Sequence, residues 1–397
     1  MEEQNARGLA ARVSHLVPEG AYEVLSKARA LEARGHEVIH LEIGQPDVPT
    51  FDNVAQAGIL AIEEGRTRYN PPRGVDALRE AIAEDAGRRR GMTVSPTEVV
   101  VAPGAKPMLF FPTMTLVEPG DEVIYPDPGF PTYAAMIGVA RGVPVPVALR
   151  EETGFAFDLE AFDRAVSDRT RLIILNSPSN PTGGVLPEPV LRHVAEAAQR
   201  HGAWVLSDEI YMRLTYDGTS APSIAALDGM RERTVICDGF SKTYAMTGWR
   251  LGYGVMPEAL AEQLGLLLTH SIGCTATFTQ YAGLEALTGP QEQVDAVVAE
   301  YQRRRDVLVE GLNELAGVHC RKPQGAFYAF PNTTAFGRSS DWMADYLLEA
   351  AGVAVLPGTA FGVAGEGYLR LCFANSMEDI KAALRRIENA LGRLERA

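Results

Sequence analysis

Residues 238–254 of this chain read DGFSKTYAMTGWRLGYG, which sets Lys242 among small and hydroxyl side chains and follows it with Arg250. An amine on a tight polar loop can condense with an aldehyde, and a planar guanidinium beside hydroxyls and backbone amides suits a phosphate. Pyridoxal phosphate carries both groups, so the segment points to that cofactor. A lone lysine is ordinarily a solvated surface group, so the reading depends on the company Lys242 keeps.

That company lies at the ends of apolar runs. NSPSNPTGG follows RLIIL (171–175), DEIY follows AWVLS (203–207), DGFSK follows TVICD (234–238) and PGAKP follows EVVVA (98–102). In PGAKP, Gly104 and Ala105 can offer backbone amides to an anion at the start of a helix, KPMLFFPTMTLV; a plain strand-to-helix turn is the structural alternative. Asp208 in DEIY can pair with a protonated pyridine nitrogen and keep the ring an electron sink, or it can simply cap a helix. Tyr211 can donate its phenol to the ring hydroxylate or belong to the core. Asn180 can donate to that hydroxylate or to a substrate carboxylate, on a turn tightened by Pro181, Gly183 and Gly184. Phe130 in PDPGFPTY can lie against a planar ring or pack in the core, and Arg370 in YLRLCF calls for an anionic partner, either a substrate carboxylate or an internal carboxylate.

Elements must position these groups. Short β-branched runs alternate with helical segments, which predicts an α/β fold with a mostly parallel sheet, its ligand crevice beyond the carboxyl ends of the strands. LPEPVLRHVAEAAQRHG carries helix punctuation at both ends, with prolines before and Gly202 after. Near residue 290 the pattern changes to a long helix, then to GAFYAF and GYLRLCF, and closes with SMEDIKAALRRIENALGRL, where Ser376 and Asp379 have capping spacing. This predicts a large domain over 51–290 and a smaller α+β domain from 1–50 and 291–397. The arginine runs at 88–90 and 303–305 read as solvated helix faces.

Composition narrows the classes. The 397 residues carry a net charge of −14 and no long basic run, which argues against nucleic acid and anionic membrane. Four scattered cysteines and seven histidines give neither a disulfide framework nor a metal site, and fit a reduced cytoplasmic setting. The N-terminal MEEQNARGLAARV lacks the pattern of a signal peptide, and no apolar run reaches membrane-spanning length.

NPTG, DEIY, SKTYAMTGWRLGYG and a late arginine, in this order along nearly the whole chain, resemble the class I pyridoxal-phosphate aminotransferases, in particular the bacterial aspartate aminotransferases. The resemblance implies fold type I, with a seven-stranded sheet in the large domain. It implies Lys242 as Schiff-base lysine and proton carrier, Asp208 at the pyridine nitrogen, Tyr211 and Asn180 at the hydroxylate, Phe130 on the ring, and Ala105, Lys106, Ser241 and Arg250 near the phosphate. Arg370 matches the fork for the α-carboxylate, and Gly44 in LEIGQPD a loop glycine at the substrate. Tyr69 in TRYNPPRG matches a tyrosine that reaches the partner subunit's phosphate, which implies a homodimer with shared sites. Many relatives have serine three positions before the lysine and tryptophan at the stacking position, where this chain has Gly239 and Phe130. Lys106 also resembles a lysine that some relatives use for a second carboxylate, so aspartate or glutamate is the favoured amino donor. Alanine, aromatic or branched substrates, and β-elimination on the same cofactor, remain as alternatives. A non-enzymatic sensor lacks an attached basic helix-turn-helix, and a nicotinamide dehydrogenase lacks GxGxxG after an early strand.

Overall fold

The structure is a computed structural model that describes residues 10–13, 16 and 18–394; the rest of the polar N-terminal stretch lies outside the described residues. Its strands are β1 (Ile39–His40), β2 (Val99–Ala102), β3 (Glu122–Asp127), β4 (Val143–Arg150), β5 (Ala156–Phe157), β6 (Thr170–Asn176), β7 (Trp204–Asp208), β8 (Thr234–Gly239), β9 (Gly252–Val255), β10 (Tyr328–Ala329), β11 (Val353–Ala354), β12 (Leu356–Pro357) and β13 (Leu369–Cys372).

Eight of these form the main sheet in the order β2-β9-β8-β7-β6-β3-β4-β5. The five apolar runs at 98–102, 122–125, 171–175, 203–207 and 234–238 all become strands of it. The sheet has one strand more than the seven implied by the resemblance, because the chain folds back after β4 and adds the two-residue antiparallel β5 at the edge. Pairings among β3, β4, β6, β7 and β8 are parallel, and β9 runs antiparallel between β8 and β2. With β9 reversed, β2 points the same way as β8, so the carboxyl ends of β2, β6, β7 and β8 share one edge.

Strand periodicity splits the core in two. Ile124, Ile173, Leu175 and Val205 pack with Val190, Leu191 and Val194 of the helix Glu188–His201, whereas Val123, Leu172, Ile174 and Leu206 pack with Met108, Leu109 and Leu260 on the other face. A strand covered on both faces must be apolar at successive positions, which explains the continuous runs. Gly202 ends Glu188–His201 in the left-handed conformation, as its sequence position predicts.

The remaining strands make a three-stranded antiparallel group, β10-β13-β12, and a parallel pair, β1-β11, so residues 39–40 join the C-terminal part of the chain. The helix Met377–Leu394 buries Ile380, Ala383, Ile387, Ala390 and Leu391 along one stripe. Ser376 Oγ accepts from the Asp379 amide at 3.0 Å, the cap expected from the sequence.

The arginine runs correct the sequence reading. Arg88 and Arg303 are solvated, but the side chains of Arg90 and Arg305 are fully buried. Three consecutive residues of a helix sweep about 200° of its circumference, so one of each run faces inward. Each inward guanidinium is compensated by carboxylates: Glu209 and Asp238 for Arg90, Asp217 and Asp306 for Arg305.

Candidate active site

The lysine loop leaves the end of β8, with Ser241 buried and Lys242 partly buried. Lys242 Nζ donates to the Gly44 carbonyl at 2.6 Å and sits 5.6 Å from the ring centre of Phe327. Burial lowers its pKa to about 8, and the charges of Arg370 and Arg250 act in the same direction. The free-base amine, which is the nucleophile, is therefore accessible near neutral pH.

Asp208 closes β7 and is buried. Its Oδ2 accepts from Tyr133 Oη at 2.8 Å and its Oδ1 from the Ile210 amide at 3.3 Å, and among the described residues it makes no ion pair. Burial raises its pKa to about 6, with Asp238 and Glu209 pushing the same way. A cationic ligand atom at this carboxylate would reverse that cost. No helix begins at Asp208, so it is not the helix cap that the sequence offered as an alternative; one oxygen closes the turn that follows β7 and the other is oriented by Tyr133.

Gly104, with φ +90°, brings the chain against Arg250: a Cβ there would come within 2.2 Å of Arg250 Nη2. A Cβ on Gly252 would come 2.5 Å from the Ala105 amide. Two glycines thus let the backbone at the N-terminus of Lys106–Leu116 close on a guanidinium; the Gly104 amide, expected to face an anion, instead donates to the Ala102 carbonyl at 2.8 Å, which leaves Ala105 and the first turn of the helix beside Arg250 to do so. Arg250 itself has φ +54° and donates from Nη1 to the Thr247 carbonyl at 2.8 Å. A cavity of about 660 Å³ opens beside it, lined by Gln45, Thr50, Ile59, Ile62, Trp249 and Arg250 among others.

Arg370, on β13, is buried between two rings, 4.4 Å from Tyr328 and 5.0 Å from Phe361. Nη1 donates to Asn180 Oδ1 at 3.1 Å and Nη2 to the Glu42 carbonyl, while Nε is buried without a partner among the described residues. A buried guanidinium with a spare donor and flat faces fits a planar carboxylate. Asn180 therefore serves first as an acceptor that orients Arg370. Gly44 is required by close approach, since a Cβ there would come 2.1 Å from Tyr328 Oη.

Of the other predicted residues, Phe130, Lys106 and Tyr211 connect to this centre through Tyr133 and Tyr328, whereas Tyr69 makes no contact with it among the described residues. Phe130 is half-buried and meets Tyr133 edge to face at 5.8 Å. Lys106 is exposed, ion-paired with Glu19, and 5.3 Å from the Phe130 ring. Tyr69 is 96% exposed in the single chain. Tyr211 Oη is 2.8 Å from Tyr328 Oη, and burial raises both phenols, Tyr328 to about 12.

These groups lie in a chain whose residues 36–387 match the family model for aminotransferase class I and II. The chain belongs to this aminotransferase family. It is 41% identical over 391 residues to a probable aspartate/prephenate aminotransferase of Aquifex aeolicus, covering 97% of this chain and 99% of that relative. It is 39% identical to an aspartate aminotransferase of Geobacillus stearothermophilus, covering 96% and 98%. The solved structure of the Thermus thermophilus aspartate aminotransferase with maleate superposes with a TM-score of 0.91 at 39% identity, covering 97% of this chain and all of that one.

Three residues of this aminotransferase's site escaped the sequence reading. Tyr133 orients Asp208, and Tyr328 touches Tyr211 while lying over Arg370 and against Gly44. Phe361 covers the other face of Arg370. Tyr328 was visible only as the alternating tyrosine of GAFYAF, and Tyr133 as the last residue of PDPGFPTY; neither pattern separates a site from a core.

Proposed function

We propose that this aminotransferase uses pyridoxal phosphate to move the amino group of an L-amino acid, with aspartate or glutamate favoured, to a 2-oxo acid by ping-pong transamination in a cytoplasmic homodimer. The observation that carries the reading is the convergence of a depressed-pKa Lys242, a buried Asp208 and a partly unpartnered Arg370 beside the Gly104–Arg250 cradle. Pyridoxal phosphate supplies an aldehyde that accepts the amino group and a ring that draws electrons from the substrate's α-carbon.

The residues fit this group. Ala105, Ser241 and Arg250 would hold its phosphate, Asp208 its ring nitrogen, Tyr211 and Asn180 its hydroxylate side, Phe130 its face, and Lys242 Nζ its aldehyde carbon. Arg370 would bind and orient the α-carboxylate through its fork, with the two rings fixing the orientation of the guanidinium plane. Lys242 would be the base that takes a proton from the α-carbon, and its pKa near 8 suits both taking and returning it. A second keto acid runs the same residues in reverse.

Substrate preference is supported by relatives named aspartate aminotransferases and by Lys106, a cation beside Phe130. A distal carboxylate would have to replace Glu19 on Lys106. Lys106→Ala is expected to reduce kcat/KM for aspartate and glutamate about tenfold more than for alanine; equal losses would assign Lys106 to the cofactor instead.

The homodimer is supported by apolar side chains left exposed on Asp52–Glu63 (Ile59, Leu60, Ile62) and Glu258–Ser271 (Leu266, Leu267), and by Tyr69. Domains over 51–290, and over 1–50 with 291–397, are supported by the pairing of β1 with β11. A cytoplasmic setting is consistent with four free cysteines. Among the described residues no helix is long and apolar enough to cross a membrane, and no cluster of metal-ligating side chains occurs.

A further inference from the structure

Behind the site lies an ion cluster that the reaction itself does not use. Arg90 ends the helix Asp76–Arg90, and its side chain is fully buried. Nε donates to Glu209 Oε2 at 2.7 Å and Nη2 to Asp238 Oδ2 at 2.8 Å. Glu209 directly follows Asp208, and Asp238 lies at the end of β8, where the lysine loop begins. The other oxygens of the two carboxylates are also committed: Glu209 Oε1 accepts from Ser207 Oγ at 2.7 Å and Ser223 Oγ at 2.6 Å, and Asp238 Oδ1 accepts from the Gly239 amide at 2.7 Å. Tyr253 Oη donates to Asp238 Oδ2 at 3.0 Å. Asp85 and Arg89 line the same small pocket as Asp238 and Tyr253.

Glu209, just past the end of β7, and Asp238 on the neighbouring β8 would repel each other without a shared cation. A buried ion triad contributes little net stability compared with an apolar substitute, but it fixes geometry, since each charge tolerates few arrangements of the other two. We propose that Arg90 is a positioning residue of the cofactor site: by clamping Glu209 to Asp238 it locks the ends of β7 and β8 together and holds Asp208 and the Lys242 loop in register. The inference rests on the assignment of Asp208 and Lys242 to the cofactor. Arg90 also offsets two negative charges that otherwise burden Asp208.

The test is the affinity of the purified protein for pyridoxal phosphate and the pH midpoint of its visible absorption when loaded, with thermal stability measured in parallel. Arg90→Met should weaken cofactor binding by about tenfold or more, the range typical of residues that orient a ligand's direct partners. It should also move the midpoint by about half a unit or more, which is a threefold change in protonation, and Arg90→Lys should recover part of both. If Arg90→Met does not fold, the charge-reduced pair Arg90→Met/Glu209→Gln leaves Asp238 its contacts with Gly239 and Tyr253 and carries the same expectation. Variants that lose stability but keep wild-type affinity and midpoint, while Asp208→Asn alters both, would overturn the inference and leave the site assignment standing. An Asp208→Asn protein with unchanged affinity and midpoint would remove the aspartate's role, and this inference with it.

Discussion

At the scale of single residues, the site is held by groups whose ordinary charge states are made costly. Asp208 illustrates the sign of this cost. Its carboxyl titrates near 3.8 in the unfolded chain and near 6 when folded, so the folded protein binds the extra proton between those values. The stability associated with that proton is present at low pH and is lost as pH rises through about 6. At neutral pH the cofactor-free protein therefore carries a buried charge without a counterion. Asp208→Asn should raise the melting temperature of the cofactor-free protein at pH 7 and flatten its dependence on pH between 4 and 6. In the loaded enzyme, the same change should lower kcat by about 10³-fold, because an amide cannot hold a ring nitrogen in its cationic form. Calorimetry on both forms, with turnover, checks the pair of effects; a cofactor-free variant that melts lower than wild type would count against the electrostatic account.

Residue types made some of this legible in the sequence. Lys242, Asp208, Arg250 and Arg370 stand out because a reactive amine, a carboxylate at a strand end, an arginine among glycines and an arginine inside an apolar strand have few structural uses. Tyr133, Tyr328 and Arg90 did not, for one reason: each acts through a long-range contact, and sequence distance hides it. Arg90 lies 119 residues from Glu209 and 148 from Asp238. Its two neighbours in the run, Arg88 and Arg89, bond locally to Asp85, which makes the run look like a solvated face.

At the scale of elements, the parallel strands were readable because burial on both faces forces continuous apolar runs, while β5, β10, β11 and β12 have two residues each and leave no periodicity to read. The anion cradle belongs to this scale, since it exists only where β2 turns into Lys106–Leu116 against β9. Gly104 makes that turn possible. Gly104→Ala should impose about 1–3 kcal/mol of backbone strain at φ +90°. It should also displace Arg250 and weaken pyridoxal phosphate binding by about tenfold, with a smaller effect on KM for the amino acid. A fluorescence titration of cofactor binding decides this; unchanged affinity would place the phosphate elsewhere.

At the scale of the whole molecule, the site lies between the main sheet, which provides Asp208 and Lys242, and the C-terminal strands, which provide Arg370 and Tyr328. Gly44 and Glu42 precede both and bridge them by accepting from Lys242 and Arg370. The exposed apolar faces of Asp52–Glu63 and Glu258–Ser271 add a second requirement. Leu266→Glu combined with Ile62→Glu should convert a dimer to a monomer in analytical ultracentrifugation, and the monomer should retain cofactor poorly, because Tyr69 would lose the subunit it is assigned to reach. A wild-type protein that sediments as a monomer with full activity would refute the shared site.

The most direct test of the central claim is the visible spectrum of the cofactor-loaded protein as single L-amino acids are added without any keto acid. The account predicts stoichiometric conversion to the aminated cofactor, fastest with aspartate or glutamate, and none with the Lys242→Ala protein. A spectrum unmoved by every amino acid, or release of pyruvate and ammonia from a β-substituted one, would contradict it.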